Sequence, residues 1–262
     1  GEESLHEEAK KEHGAKLLHT FRLDVGSDQS VRDARDQIKE KVGSNGIWAV
    51  VANAGILGPT GPDDWLNVDD YQKTMNVNAF GVIRMCQAFK PLVKKQKGRV
   101  VMIASVSGRT PRPTVGPYCV SKHALEAYGD VIRHELKDFG VSVHILEPGF
   151  FATNITQTAT KDLDAIWERL DPETKAEYGE EFFKAYTDSR FSRLKMSSSK
   201  LDPVVDAYYH AIAAQFPKIR YWVGLDAILF YIPLATLPTF LQDAAISILR
   251  RNRPLPAAVK RH

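Results

Sequence analysis

Tyr118 and Lys122, in the stretch GPYCVSKHALEAYGD (116–130), stand four residues apart where a helical pattern begins. A tyrosine hydroxyl titrates near pH ~10 and a lysine near ~10.4, so neither alone suits proton transfer at neutral pH. On a helix, positions i and i+4 share a face, and there the two groups can act together. The pair is a short motif: nine tyrosines and this lysine content yield about 0.7 such pairs by chance. Its company sets it apart. Ser105 lies thirteen residues upstream at the end of a strand pattern, and Asn78 sits in NAFG, within the helical run that follows ANAG (52–55).

The elements that must position these groups alternate in a βαβα rhythm, the pattern of a parallel sheet covered on both faces. Strands are predicted at Leu17–Val25, Ile47–Ala52, Arg99–Ala104, Val141–Glu147 and Arg220–Val223. Helices are predicted at Asp28–Val42, Asp69–Lys95 and Tyr118–Phe139, with a later group from Lys161 to Phe216. Ligands of open α/β sheets bind at strand ends. Here four consecutive strand ends carry polar or glycine clusters: Asp24-Val25, Asn53-Ala54-Gly55, Ser105 to Gly108, and Pro148-Gly149 with Thr153 beyond. Any one cluster is ordinary turn punctuation; four in succession predict a ligand cleft.

Composition narrows the class. A chain of 262 residues, 44% apolar and 26% charged, fits one folded domain over 1–262 and excludes disorder. A net charge of +3 is too small to suggest nucleic acid as a partner, and none is expected. The two cysteines, Cys86 and Cys119, both fall in predicted helices and form no disulfide framework, which predicts a reducing or cytosol-facing setting. Eight histidines without HExxH or a cysteine-rich partner predict no metal. The start, GEESLHEEAKKEHG, reads as a charged helix and not a signal peptide. Ala227–Leu241 carries no charge, yet it is too short and proline-broken to span a bilayer. It is either core or a segment dipping into a membrane surface beside the basic tail.

The set ANAG, NAFG, SVSG, YCVSK and EPGFFAT, in this order and spacing, resembles the short-chain dehydrogenase/reductase superfamily across nearly the whole chain. GRVVMIASVSGR, YCVSKHALEAYGDVIRHEL and LDAILFYIPLATLPTFLQDAA are similar to its retinol dehydrogenase and 17-beta-hydroxysteroid dehydrogenase branch. The resemblance implies an α/β fold, a Rossmann-like doubly wound parallel sheet, and hydride transfer between NAD (in preference to NADP) and an alcohol or ketone. By it, Tyr118 is the general acid/base, and Lys122 supports the phenolate and holds the nicotinamide ribose. Ser105 bonds the substrate oxygen, and Asn78 anchors a water that relays protons. Asp24 and Val25 meet the adenine, and Asn53, Ala54 and Gly55 the adenosine side. Pro148, Gly149, Phe151 and Thr153 meet the nicotinamide amide. Service near pH 7 asks about 4 kcal/mol of extra phenolate stabilisation, expected from Lys122 and the oxidised nicotinamide. Ala52 departs from a second Asn common in relatives, while Asn53 is kept.

The superfamily opens with a strand, a TGxxxGxG turn, a helix and a second strand, none of which is in this sequence. The expected sheet therefore lacks its first two strands, and the chain is expected to be part of a longer protein. The rival expectations are a short form without cofactor binding, or a binding or dimerising module that needs no acid/base. Residues 150–202 correspond to the superfamily's substrate lid; Ile166, Trp167, Phe182, Phe183, Tyr186 and Phe191 there suit either the packing of amphipathic surface helices or a lid over an apolar substrate such as a retinoid or steroid. Arg190 and Arg193 keep open a hydroxy acid, as in 3-hydroxybutyrate dehydrogenase. The branch implies association with the endoplasmic reticulum membrane, the alternatives being cytoplasm or mitochondrion. The superfamily implies a homo-oligomer.

Overall fold

The computed structural model describes residues 2–11, 17–153, 163–195, 198–251 and 255–259, the side chains of residues 2, 191–195 and 250 excepted. Four parallel strands, β1 Ala49–Ala52, β2 Arg99–Ile103, β3 Ser142–Pro148 and β4 Arg220–Val223, lie in the order β1-β2-β3-β4. Val51 pairs with Val101, and Val101 with His144. Helices α1 (Glu2–Lys11), α2 (Asp28–Val42), α3 (Val68–Met75), α4 (Gly81–Gln96) and α5 (Gly116–Lys137) come before β3. After it come α6 (Leu163–Glu168), α7 (Pro172–Tyr178), α8 (Glu180–Lys195), α9 (Asp202–Ala213), α10 (Ile232–Ala235) and α11 (Thr239–Arg250).

Alternation along the strands sorts the core into two layers. Val100 and Met102 face Val31 of α2, Phe89 of α4, and Leu125 and Ile132 of α5. Val101 and Leu146 face Ala207 and Ala211 of α9. Val101, Met102, Ile145 and Leu146 are fully buried, each worth about 1.5–3 kcal/mol of transfer free energy. Arg99 locks α9 to the sheet by donating to the carbonyls of Ala211 (2.8 Å) and Ala214 (2.6 Å) at the helix end, where orphan carbonyls need donors.

The helix boundaries follow local chemistry. Ser27 caps α2, its hydroxyl accepting from Ser30 N, and Gly43 ends it at φ 58°. Asn67 and Asp70 form a reciprocal capping box on α3. The single helix expected over Asp69–Lys95 is interrupted: residues Asn76–Phe80 form a π-helical turn between α3 and α4, a feature common at functional sites.

The strand expected at Leu17–Val25 does not form; these residues are irregular. A strand exists through its neighbours' hydrogen bonds, and among the described residues none lies beyond β1 to supply them. The segment serves α2 instead, Asp24 O accepting from Ser27 N at 3.1 Å.

The aromatic residues of the segment after β3 turn inward. Trp167 and Tyr186 are buried, and with Tyr178, Phe182 and Phe183 they ring Trp65 at centroid distances of 5.2–6.0 Å. They build a satellite core, and Tyr178 and Phe182 at its margin also line a cavity beside Arg112. Asp70 of α3 fastens this unit by pairing with Arg169. Phe191 and Arg193 lie outside the described side chains.

Candidate active site

β2 ends at Ile103, and Ser105 follows in extended backbone, its hydroxyl accepting from Ser107 N at 3.1 Å. This bond fixes Ser105 at the foot of a cavity of about 570 Å3. Tyr118 and Lys122, one turn apart near the start of α5, line the same cavity. So do Asn53, Ala54 and Gly55 beyond β1, and Pro148, Gly149, Phe151 and Thr153 beyond β3. The structure thus gathers the residues predicted at three strand ends. It does not bring Asp24 and Val25 to this wall. They precede α2, where Asp24 Oδ1 accepts from Gly26 N at 2.8 Å and Val25 packs on Gly81.

Asn78 works from behind. Its amide nitrogen donates to Ile56 O (2.8 Å) and Ser121 Oγ (2.9 Å), and its oxygen accepts from Ile56 N (2.8 Å). The π-helical turn therefore clamps the loop after β1 against α5. A Cβ on Gly55 would sit 3.3 Å from Asn78 Oδ1, so glycine keeps this loop close to the clamp. Gly149 has a different task. A Cβ there would collide with the Asp226 carboxylate, which accepts from Phe150 N at 2.8 Å.

Burial is the largest influence on both titrating groups of the pair. Lys122 Nζ donates to Ile103 O at 2.7 Å and lies 5.6 Å from the Tyr118 ring centroid. Burial pushes the lysine down to about 8, against the pull of Glu126 one turn further on. Burial pushes the Tyr118 hydroxyl up, while Ser105 and the Arg112 charge draw it back.

Arg112 and Tyr208 were not anticipated. Tyr208 of α9 donates to Asn53 Oδ1 at 2.6 Å across the cavity mouth. Arg112 stands between Pro111 and Pro113 in the loop before α5. An arginine held between two prolines six residues before the tyrosine was the available signal.

A second cavity, about 620 Å3, adjoins the first. Both are lined by Arg112, Val115, Phe150, Phe151 and Arg190. The outer one continues to Leu225, Phe230, Leu234, Ile246 and Leu249. A hydroxyl, a phenol and an ammonium thus converge at an inner end, and an apolar chamber extends from it. That arrangement suits proton exchange at one oxygen of an otherwise apolar molecule.

The comparisons agree with this geometry. Residues 2–164 match the family model described as short chain dehydrogenase. The chain is 43% identical over 242 residues to Short-chain dehydrogenase/reductase family 9C member 7 of Bos taurus, covering 92% of this chain and 76% of that protein. It is 41% identical to 3beta-hydroxysteroid dehydrogenase dhs-16 of Caenorhabditis elegans, covering 98% and 68%. It is 42% identical to Retinol dehydrogenase 7 of Rattus norvegicus, covering 87% and 73%. Among solved structures, a short chain dehydrogenase/reductase from Burkholderia phymatum in complex with NAD superposes with TM-score 0.64 at 24% identity, over 90% of this chain and 78% of that one. With strand order, strand-end cavity, family model and relatives in accord, the chain belongs to the short-chain dehydrogenase/reductase family and is similar to its retinol and hydroxysteroid dehydrogenases.

Proposed function

We propose that the protein is an NAD(P)-dependent oxidoreductase that interconverts an alcohol and a carbonyl on a retinol- or hydroxysteroid-like substrate. The observation that carries this reading is the convergence of Ser105, Tyr118 and Lys122 on one cavity that opens into an apolar chamber. The residues present fit the nicotinamide half of the cofactor: a loop pressed close by its glycine, a lysine donor, and the turn after β3. When bound, the nicotinamide accepts or gives a hydride. Lys122 would hold its ribose and Pro148 to Thr153 its amide, while Asn53 to Gly55 would meet the adenosine side.

In this reading Ser105 Oγ donates to the substrate oxygen and stabilises charge gathering there. Tyr118 Oη takes the hydroxyl proton in oxidation and returns it in reduction. Both amide hydrogens of Asn78 are already used. A relay water would therefore rest on Lys122 and on the remaining lone pair of Asn78 Oδ1. The test is a substrate screen with NAD and NADP. Turnover of retinol or a hydroxysteroid is expected; turnover of 3-hydroxybutyrate alone would overturn the assignment and favour an arginine-bound hydroxy acid.

The apolar chamber also suggests where such a substrate enters. Leu225 and Leu249 line it and are 75% and 62% exposed. Leu229, Phe240 and Ile248 are exposed nearby in the chain. Among the described residues no helix is long and apolar enough to cross a membrane. We propose that this surface rests on a bilayer, the endoplasmic reticulum being the compartment implied by the resemblance. Flotation with phosphatidylcholine vesicles is expected for the protein. It should be reduced about tenfold or more by Leu229→Asp with Phe240→Asp, each charge costing several kcal/mol to bury in lipid. Equal flotation of both forms would refute the surface.

A further inference from the structure

Phe150 carries a backbone N–H that the sheet leaves over. β3 and β4 stay in register as far as Pro148 and Val223, and Gly149 N closes the ladder by donating to Val223 O at 2.8 Å. One residue on, β4 has ended, and Gly224 turns the chain away at φ 105°, a value that favours glycine. Asp226 Oδ2 accepts the Phe150 N–H at 2.8 Å where a strand would have done so. Beyond it, Phe150 O accepts from Ser198 N at 3.2 Å, and Ala152 N donates to Ser198 O at 2.8 Å. The carboxylate is therefore the junction between the sheet and the turn that follows β3. Asp226 opens the π-helical turn Ala227–Tyr231, yet its side chain makes no capping bond there, the common task of an aspartate at such a place. Among the described residues no cation forms an ion pair with it. A Cβ on Gly149 or on Gly224 would meet this carboxylate. Two glycines and an aspartate thus converge on one backbone hydrogen bond.

The place of that bond gives it a use. Asp226 lines the outer chamber and not the inner cavity, whereas Pro148, Gly149, Phe150 and Phe151 of the turn it holds line the inner one. The Phe150 ring stands in the wall common to both, 4.4 Å from the Arg112 guanidinium and 5.7 Å from the Tyr231 ring. We propose that Asp226 is a positioning residue for the reaction: from the outer chamber it sets the turn Pro148–Phe151 against Ser105 and Tyr118, and so the place of the nicotinamide relative to the substrate oxygen. The proposal rests on the cofactor reading given above. A carboxylate suits the task because a charge-assisted bond holds a backbone N–H about twice as strongly as a neutral acceptor does. The tolerance is small, since a misplacement of about 1 Å far from the chemistry can cost about a hundredfold in rate.

Asp226→Ala is expected to lower kcat about tenfold or more, the scale of a lost bond to a charged group, and to raise KM for the cofactor. Asp226→Asn keeps a side-chain oxygen that can accept the same N–H and should stay within about threefold of the native protein. Gly149→Ala should push the carboxylate aside and reproduce the loss. Combined with Asp226→Ala it should add nothing, because both changes remove one contact. A further readout needs no cofactor. In amide hydrogen exchange, Phe150 should exchange about tenfold faster or more in Asp226→Ala, while Gly149, held by Val223 O, keeps its rate. Three results overturn the proposal. An asparagine as damaging as alanine would assign the effect to charge and not to the bond. Losses that multiply in the double variant would make the two residues independent. Unaltered exchange at Phe150, or equal acceleration at Gly149, would leave Asp226 a merely structural residue. Faster exchange confined to Phe150, in a protein that binds neither NADH nor NADPH, would defeat the cofactor reading while leaving the setting of the turn by Asp226 standing.

Discussion

Tyr118→Phe is expected to lower kcat by about 10²–10⁴-fold, the span attributed to a positioned general acid/base, with an unchanged melting temperature. The argument is geometric. Tyr118 is the one phenol on the wall that also carries Ser105 and Lys122, apart from Tyr208, whose hydroxyl is committed to Asn53. Phenylalanine keeps the ring near Lys122 and removes only the oxygen that exchanges the proton. The pH dependence carries a sign as well. Burial raises the Tyr118 hydroxyl above its ordinary value in the protein alone, so oxidation should be favoured toward alkaline pH and reduction toward neutral pH. Steady-state kinetics in both directions, beside a thermal melt, measure all of this. A loss smaller than about fivefold is too little for general acid/base catalysis and would leave the protein a binding module.

Arg220→Met is expected to cost about 3–5 kcal/mol of stability, the usual result of breaking a buried ion pair from one side. Arg220 opens β4 and reaches three carboxylates: Glu126 at 3.0 Å, Asp130 at 2.8 Å and Glu147 at 2.8 Å. Glu147 is wholly buried in β3, and Glu126 nearly so. Burial, and then the charge of Glu147, push Glu126 up to about 8. A carboxyl raised in the folded state contributes stability that is full below its unfolded value and fades as pH rises through its folded one. This carboxyl's contribution should therefore fade between about pH 4.5 and 8, and Arg220→Met should steepen that slope. Glu126→Gln in the same chain should recover part of the loss, since neighbours in one network are not additive. Urea unfolding at both ends of the window gives the numbers. A cost under about 1 kcal/mol, the level of an exposed pair, would mean the three carboxylates do without their common partner.

How much of this could be read beforehand depended on whether the deciding contacts were local. Asp28–Val42 was legible to the residue because Ser27 and Gly43 mark both ends. The four observed strands were legible within two residues because each is a short run rich in β-branched or aromatic residues bounded by small or polar ones. Ser105, Tyr118 and Lys122 were legible as a set through their spacing. Leu17–Val25 has the composition of a strand, yet a strand is a property of a pair of segments, and among the described residues no strand lies beside it. The aromatic residues from Trp167 to Tyr186 suited either a substrate wall or the packing of amphipathic helices, since composition cannot say which way a ring turns. Trp65, a hundred residues earlier, turned them inward. The glycines also divided by tertiary contact, Gly55 serving the cavity loop and Gly149 making room for Asp226. Arg112 was hidden for the same reason: Ser107 and Phe150 fix its side chain from outside its own loop.

The satellite core around Trp65 has a consequence for observing the molecule. The four tryptophans form two optical classes: Trp65 and Trp167 are shielded at 1% and 6% exposure, whereas Trp48 and Trp222 are each 48% exposed. The shielded pair sits in the unit fastened by Arg169, and the exposed pair sits just before β1 and within β4. One emission spectrum therefore holds two separable signals, a blue component that a dissolved quencher barely reaches and a red component that it extinguishes. Events in the satellite core and events along the sheet can be followed at the same time without attaching any label.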